Sequence, residues 1–146
     1  LNLSENKSLQ HIESLSKNTS LKYLNLQGDS RIQNFNVLSN LTQMESLNLS
    51  GTGFSDLVLL ENLQKLKYLN LNNTSVGELQ YIVKLTKLEE LSLENCPVNN
   101  FKPLENMKQL KQLWLNDNVS EFVYRQLVKA SPNTKIYPQR SINSNL

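Results

Sequence analysis

The chain has 146 residues and a formal charge of +2 at pH 7, and its 15 Lys and Arg residues are scattered rather than blocked, which argues against a nucleic-acid or polybasic membrane surface. Its one cysteine, Cys96, allows no intrachain disulfide. No apolar run approaches the ~18 residues that a membrane span needs.

Leu1-Asn2-Leu3 aligns with Leu24 and Leu26 of a motif whose first full copy is Leu21-Lys22-Tyr23-Leu24-Asn25-Leu26. The motif returns as Met44-Glu45-Ser46-Leu47-Asn48-Leu49 and as Leu66-Lys67-Tyr68-Leu69-Asn70-Leu71. It returns again as Leu88-Glu89-Glu90-Leu91-Ser92-Leu93 and Leu110-Lys111-Gln112-Leu113-Trp114-Leu115. The first step is 23 residues and the next three are 22. Residues 1–118 therefore read as five full repeats plus a partial first one. Because the chain opens inside a repeat, it is expected to be a fragment that lacks its N-terminal cap.

Each repeat has two halves with different periods. In the first, apolar and polar residues alternate, as in a short strand with one buried face. In the second, apolar residues recur every third position, as in Val76, Leu79, Ile82 and Leu85. A step of three fits a tight 3-10 turn better than an α-helix. The first turn reads Leu9, Ile12, Leu15, and Asn18 stands where a leucine is expected. A further column lies three residues after the last strand leucine: Asn6, Asp29, Thr52, Thr74, Cys96 and Asn118. It is expected to point inward and to satisfy backbone groups of the bend.

After Asn118 the pattern changes. Ser120 can cap a helix over Glu121 to Ala130, with Phe122, Val123, Leu127 and Ala130 as its apolar face. Thr134 to Tyr137 reads as a last edge strand, ended by Pro138.

Residues 1–118 resemble leucine-rich repeat proteins of the 22-residue subclass, which includes phosphatase-regulatory subunits and the bacterial internalins. The matching features are the L-x-x-L-x-L cores, the inward Thr, Cys or Asn and the Val or Phe that follows. Ser120 to Tyr137 looks like a common C-terminal cap of such proteins. The resemblance implies an α/β solenoid: a right-handed leucine-rich repeat coil with a parallel concave sheet and short 3-10 or irregular convex turns. A helix-plus-strand cap over residues 119–137 and a flexible tail over 138–146 complete the expected organisation. The resemblance also implies a non-catalytic scaffold for protein or peptide partners, and it names no particular one.

On this reading the concave columns are the candidate binding residues: Tyr23, Asn25, Asn48, Tyr68, Asn70, Glu90, Ser92, Glu94, Gln112 and Trp114. Trp114 has a competing role, packing on the C-terminal helix as part of the cap. Cys96 belongs to the inward column and His11 lies four repeats away, so no activated nucleophile is expected. No metal-ligand set and no cofactor motif are present in the sequence. The alternatives to a binding module are a targeting or scaffold segment of a larger enzyme and a structural spacer of a cell-surface protein. Leu1, Leu3, Leu9, Ile12 and Leu15 are expected to lie uncovered, which would favour self-association through the N-terminal end.

Overall fold

One polar residue between two leucines exposes one side of an extended chain and buries the other. In the computed structural model, which describes residues 1–138, each copy of the motif forms a strand of three residues. These are β1 (Tyr23–Asn25), β2 (Ser46–Asn48), β3 (Tyr68–Asn70), β4 (Glu90–Ser92) and β5 (Gln112–Trp114), followed by β6 (Lys135–Tyr137). They pair in chain order as one six-stranded parallel sheet. Leu24, Leu47, Leu69, Leu91, Leu113 and Ile136 lie opposite one another in register, and all are buried. Asn2 adds a parallel bridge to Asn25, which extends the sheet past β1.

The step of three gives 3-10 turns over Glu13–Lys17, Asn36–Asn40, Leu57–Leu60, Ile82–Lys84 and Lys102–Asn106. Their leucines and isoleucines close the core from the convex side. Phe35 and Phe54 meet edge to face across adjacent turns, with ring centroids 5.3 Å apart. The expected uncovered N-terminal core is smaller than the sequence suggests. Ile12 and Leu15 are buried against the rest of the core, and Leu3 and Leu9 are half-buried. Only Leu1 of that group is exposed, at 51%.

The α-helix α1 (Glu121–Ala130) follows β5, with Ser120 Oγ accepting from the Val123 amide at 3.3 Å. Its buried residues are Tyr124 and Leu127, flanked by Val123 and Val128. Phe122, expected on the apolar face, is 71% exposed. At ~100° per residue it lies about 200° from Tyr124, on the far side of the helix. Lys108 donates to the carbonyls of Glu105 and Ala130, placing a cation at the C-terminal end of α1. The tail expected over 138–146 lies, beyond Pro138, outside the described residues.

The bend after each strand is fixed by two columns. Glu5, Gly28, Gly51, Asn73 and Asn95 all take positive φ, between 56° and 78°. Gly and Asn tolerate that conformation and Glu does not favour it. The next column is the inward one, and it is inward only in the middle of the coil. Thr52 and Thr74 donate to Leu49 and Leu71 carbonyls at 2.7 and 2.6 Å, and Cys96 Sγ approaches the Leu71 carbonyl at 2.9 Å. Asn6 and Asn118, placed in this column from the sequence, are exposed. Each stands at an end of the described repeats, where its bend has a neighbouring bend on one side only.

Asp29 occupies the same column and is fully buried. Its Oδ1 accepts from the Asn6 amide at 2.6 Å, and its Oδ2 has no hydrogen-bond partner. Burial raises its pKa above the usual 3.8; the Asn6 amide opposes this and the nearby Glu5 adds to it.

Two outcomes follow. Leu69→Ala or Leu91→Ala empties a mid-core site and should destabilise by ~2–5 kcal/mol in urea melts, with Leu127→Ala smaller if α1 shifts. Asp29→Asn should raise the melting temperature at neutral pH. A raised pKa means that the fold penalises the ionised acid, so Asp29 lowers stability as pH rises from about 3.8 through its folded value. The advantage of the asparagine should therefore shrink in acid, and an advantage that grows in acid would contradict the assignment.

Candidate binding face

Register turns sequence positions into columns on the concave face. The first column runs Tyr23, Ser46, Tyr68, Glu90, Gln112 and Lys135. The middle column runs Asn25, Asn48, Asn70, Ser92, Trp114 and Tyr137. Gln27, Ser50, Asn72, Glu94 and Asn116 follow just past the strand ends. All ten residues singled out in the sequence lie on this surface. Lys135 and Tyr137 were missed, although the reading of residues 134–137 as a strand was sufficient to extend both columns by one.

Tyr23 and Tyr68 stand out from the sheet, 57% and 41% exposed. Trp114 is half-buried, with its ring stacked on Tyr137 at 5.2 Å between centroids and 14° between planes. Its packing partner in the cap is thus the last strand rather than the helix that the sequence suggested. Tyr68 and Trp114 line a shallow depression of about 380 Å³ whose floor is Leu47, Leu69 and Leu91 and whose walls include Asn48, Asn70, Asn72, Glu90, Ser92 and Glu94. A second depression, about 400 Å³, lies beside Tyr23 at the N-terminal end.

The middle asparagines have a structural task. Asn2, Asn25, Asn48 and Asn70 each accept, through Oδ1, the amide two residues ahead, at 2.9–3.0 Å. This satisfies a donor that leaves the sheet at the strand end. Ser92 is too short to do so. Asn72 of the preceding repeat reaches across instead, accepting from Ser92 Oγ at 2.7 Å and from the Glu94 amide at 2.8 Å. Its Nδ2 donates to Glu94 Oε2 at 2.7 Å. Glu90 Oε1 accepts from Gln112 Nε2 at 3.2 Å.

One residue before the first column, the charges alternate: Lys22, Glu45, Lys67, Glu89, Lys111. Glu45 meets Lys22 at 3.1 Å and Lys67 at 3.8 Å, and Lys111 meets Glu89 at 2.7 Å. The Lys22 hydrogen bond lowers the Glu45 pKa, and the Glu89 hydrogen bond raises that of Lys111. These pairs are exposed enough to add little stability singly. Their alternation penalises a slip of one repeat, which would place like charges opposite one another.

No family profile and no curated protein matches the chain. Solved structures do. Internalin InlF of Listeria monocytogenes superposes with a TM-score of 0.72 at 28% identity, over 87% of this chain and 38% of that one. Internalin C2 of the same organism gives 0.73 at 25% identity, over 87% and 55%. A leucine-rich repeat protein of Leptospira interrogans gives 0.81 at 26% identity, over 93% and 36%. The chain is a leucine-rich repeat protein. It spans between 36% and 55% of the length of these three neighbours.

Within this leucine-rich repeat protein, Cys96 is a core residue, held between Thr74 Oγ1 at 3.5 Å and the Leu71 carbonyl. His11 is exposed on the first turn, 3.9 Å from Glu13. The asparagine column makes its own prediction. Asn70→Ala strands the Asn72 amide and should lower stability by about 1 kcal/mol in urea melts. A neutral result would free Asn70 from the structural role and leave it a candidate contact residue only.

Proposed function

We propose that this leucine-rich repeat protein is a non-catalytic binding module that holds a protein or extended peptide on its concave face. The observation that carries the reading is the depression between Tyr68 and Trp114. Two aromatic rings border a sheet surface whose other polar residues are Asn and Ser, which desolvate far more readily than charges, and the two carboxylates Glu90 and Glu94. Strands ~4.8 Å apart make six of them roughly 25 Å wide, a span suited to a polypeptide rather than a small molecule. The likeness to internalins supports a protein partner. The thiol of Cys96 is enclosed in the core and the one histidine, His11, is exposed four repeats away, so neither supports a nucleophilic reaction.

The contact set is Tyr23, Tyr68, Trp114, Glu90, Glu94 and Gln112, with Asn25, Asn48, Asn70 and Ser92 as the polar ground between them. Aromatic anchors of this kind typically cost ~2 kcal/mol or more when truncated. Against a partner isolated by pull-down, Tyr68→Ala should weaken binding at least about tenfold, and Lys65→Ala and Lys87→Ala should leave it unchanged. The reverse pattern would move the site off the concave face. The Trp114–Tyr137 stack favours a second role for Trp114. If Trp114→Ala lowers the melting temperature and leaves affinity intact, that residue closes the end of the sheet and the anchor is Tyr68.

A further inference from the structure

Resting on the concave-face reading, we infer that the partner presents a basic segment: the Tyr68–Trp114 depression takes a lysine or arginine side chain from an extended stretch of another protein. Of the twelve residues that line it, only Glu90 and Glu94 carry charge, and both are acidic on a chain whose formal charge is +2. Among the described residues neither is in an ion pair. The contrast with the adjacent column is direct. Glu45 and Glu89 are paired with Lys22 and Lys111, and the repeat that carries Glu89 places a second carboxylate, Glu90, inside the groove, where no cationic side chain lines it and Lys111, already bonded to Glu89, acts on it only at longer range.

Each groove carboxylate accepts a neutral amide donor at one oxygen, from Gln112 to Glu90 and from Asn72 to Glu94. These bonds aim the side chains and leave the second oxygen of each to an outside donor. A guanidinium or ammonium placed there would meet carboxylate oxygens and the bordering rings together. Both interactions favour cations, and rings add to carboxylates where water is partly excluded.

Trp114 is the one tryptophan of the chain, so its fluorescence reports this groove. Titration with a hexa-arginine peptide at low ionic strength should give a saturable change that added salt weakens. Joint Glu90→Gln and Glu94→Gln substitution should weaken it at least roughly tenfold, since charge-assisted hydrogen bonds are worth about twice neutral ones. Both side chains are on the solvent side of the sheet, and Glu94→Gln alone, at an exposed position, should act in the same direction. Hexaglutamate should give no change, and free arginine should bind far more weakly than the peptide. No saturable change with hexa-arginine, equal binding of hexaglutamate, or indifference to the glutamine pair would overturn the inference. Free arginine binding as tightly as the peptide would overturn the extended segment. If a pull-down partner is released by Tyr68→Ala yet indifferent to the glutamine pair, the basic segment falls and the concave-face reading stands. Indifference to Tyr68→Ala as well would remove both.

Discussion

The amides that leave each strand have their partners in the next repeat, and everything else in the fold follows from that. Leu26 donates to Asn48, Leu49 to Asn70, Leu71 to Ser92, Leu93 to Trp114 and Leu115 to Tyr137, each at 2.9 Å. A strand of three residues has no stability of its own, so the register must be held from repeat to repeat. Once it is held, every sequence position becomes a column across the molecule. A column has one environment, and its residues must suit that environment or be compensated by a neighbour. The left-handed bend accepts Gly28, Gly51, Asn73 and Asn95, and the inward position accepts Thr52, Thr74 and Cys96.

The departures from these columns are informative because each has a visible consequence. Ser92 cannot cap the amide of Glu94, and Asn72 takes over from the repeat before. Asp29 satisfies the Asn6 amide but leaves an oxygen buried without a partner, next to Glu5, whose carboxyl fills the space beside Gly28. A Cβ at position 28 would meet that carboxyl at 2.7 Å, but an exposed glutamate can swing its carboxyl aside, so the glycine there answers chiefly to its positive φ. At the far end the middle column changes from asparagine to Trp114 and Tyr137, whose stacked rings lie on the last two strands of the described sheet.

The fold was legible because it repeats. A single L-x-x-L-x-L is weak, but five copies in register fix strand positions, and a step of three fixes the turn type. The details that were not legible are those decided by the ends and by helical phase. Asn6 and Asn118 share a column with Thr74 but have a flanking bend on one side only among the described residues, so they are exposed. Phe122 is apolar and lies on a helix, yet the phase set from Ser120 turns it outward and buries Tyr124. The face itself could be read from alternation alone. What alternation could not reveal is that an asparagine on that face is already occupied, because a hydrogen bond to the amide two residues ahead leaves no trace in the spacing.

That occupancy sharpens the choice among the concave residues. The Oδ1 atoms of Asn25, Asn48 and Asn70 are committed to Gln27, Ser50 and Asn72, and Asn48 Nδ2 donates to Gln27 Oε1, so these side chains are a polar lining held in place by the sheet's own bonds. Side chains already bonded in this way have little left with which to discriminate among partners. On the proposed reading, discrimination falls to the side chains that break the column pattern: Tyr23 and Tyr68 among smaller neighbours, Trp114 in place of asparagine, and the carboxylates of Glu90 and Glu94 in a groove that no cationic side chain lines. The same regularity that builds the coil thus marks the proposed binding chemistry by exception. A residue that keeps the column serves the sheet, and one that breaks it without a compensating neighbour is free to serve a partner.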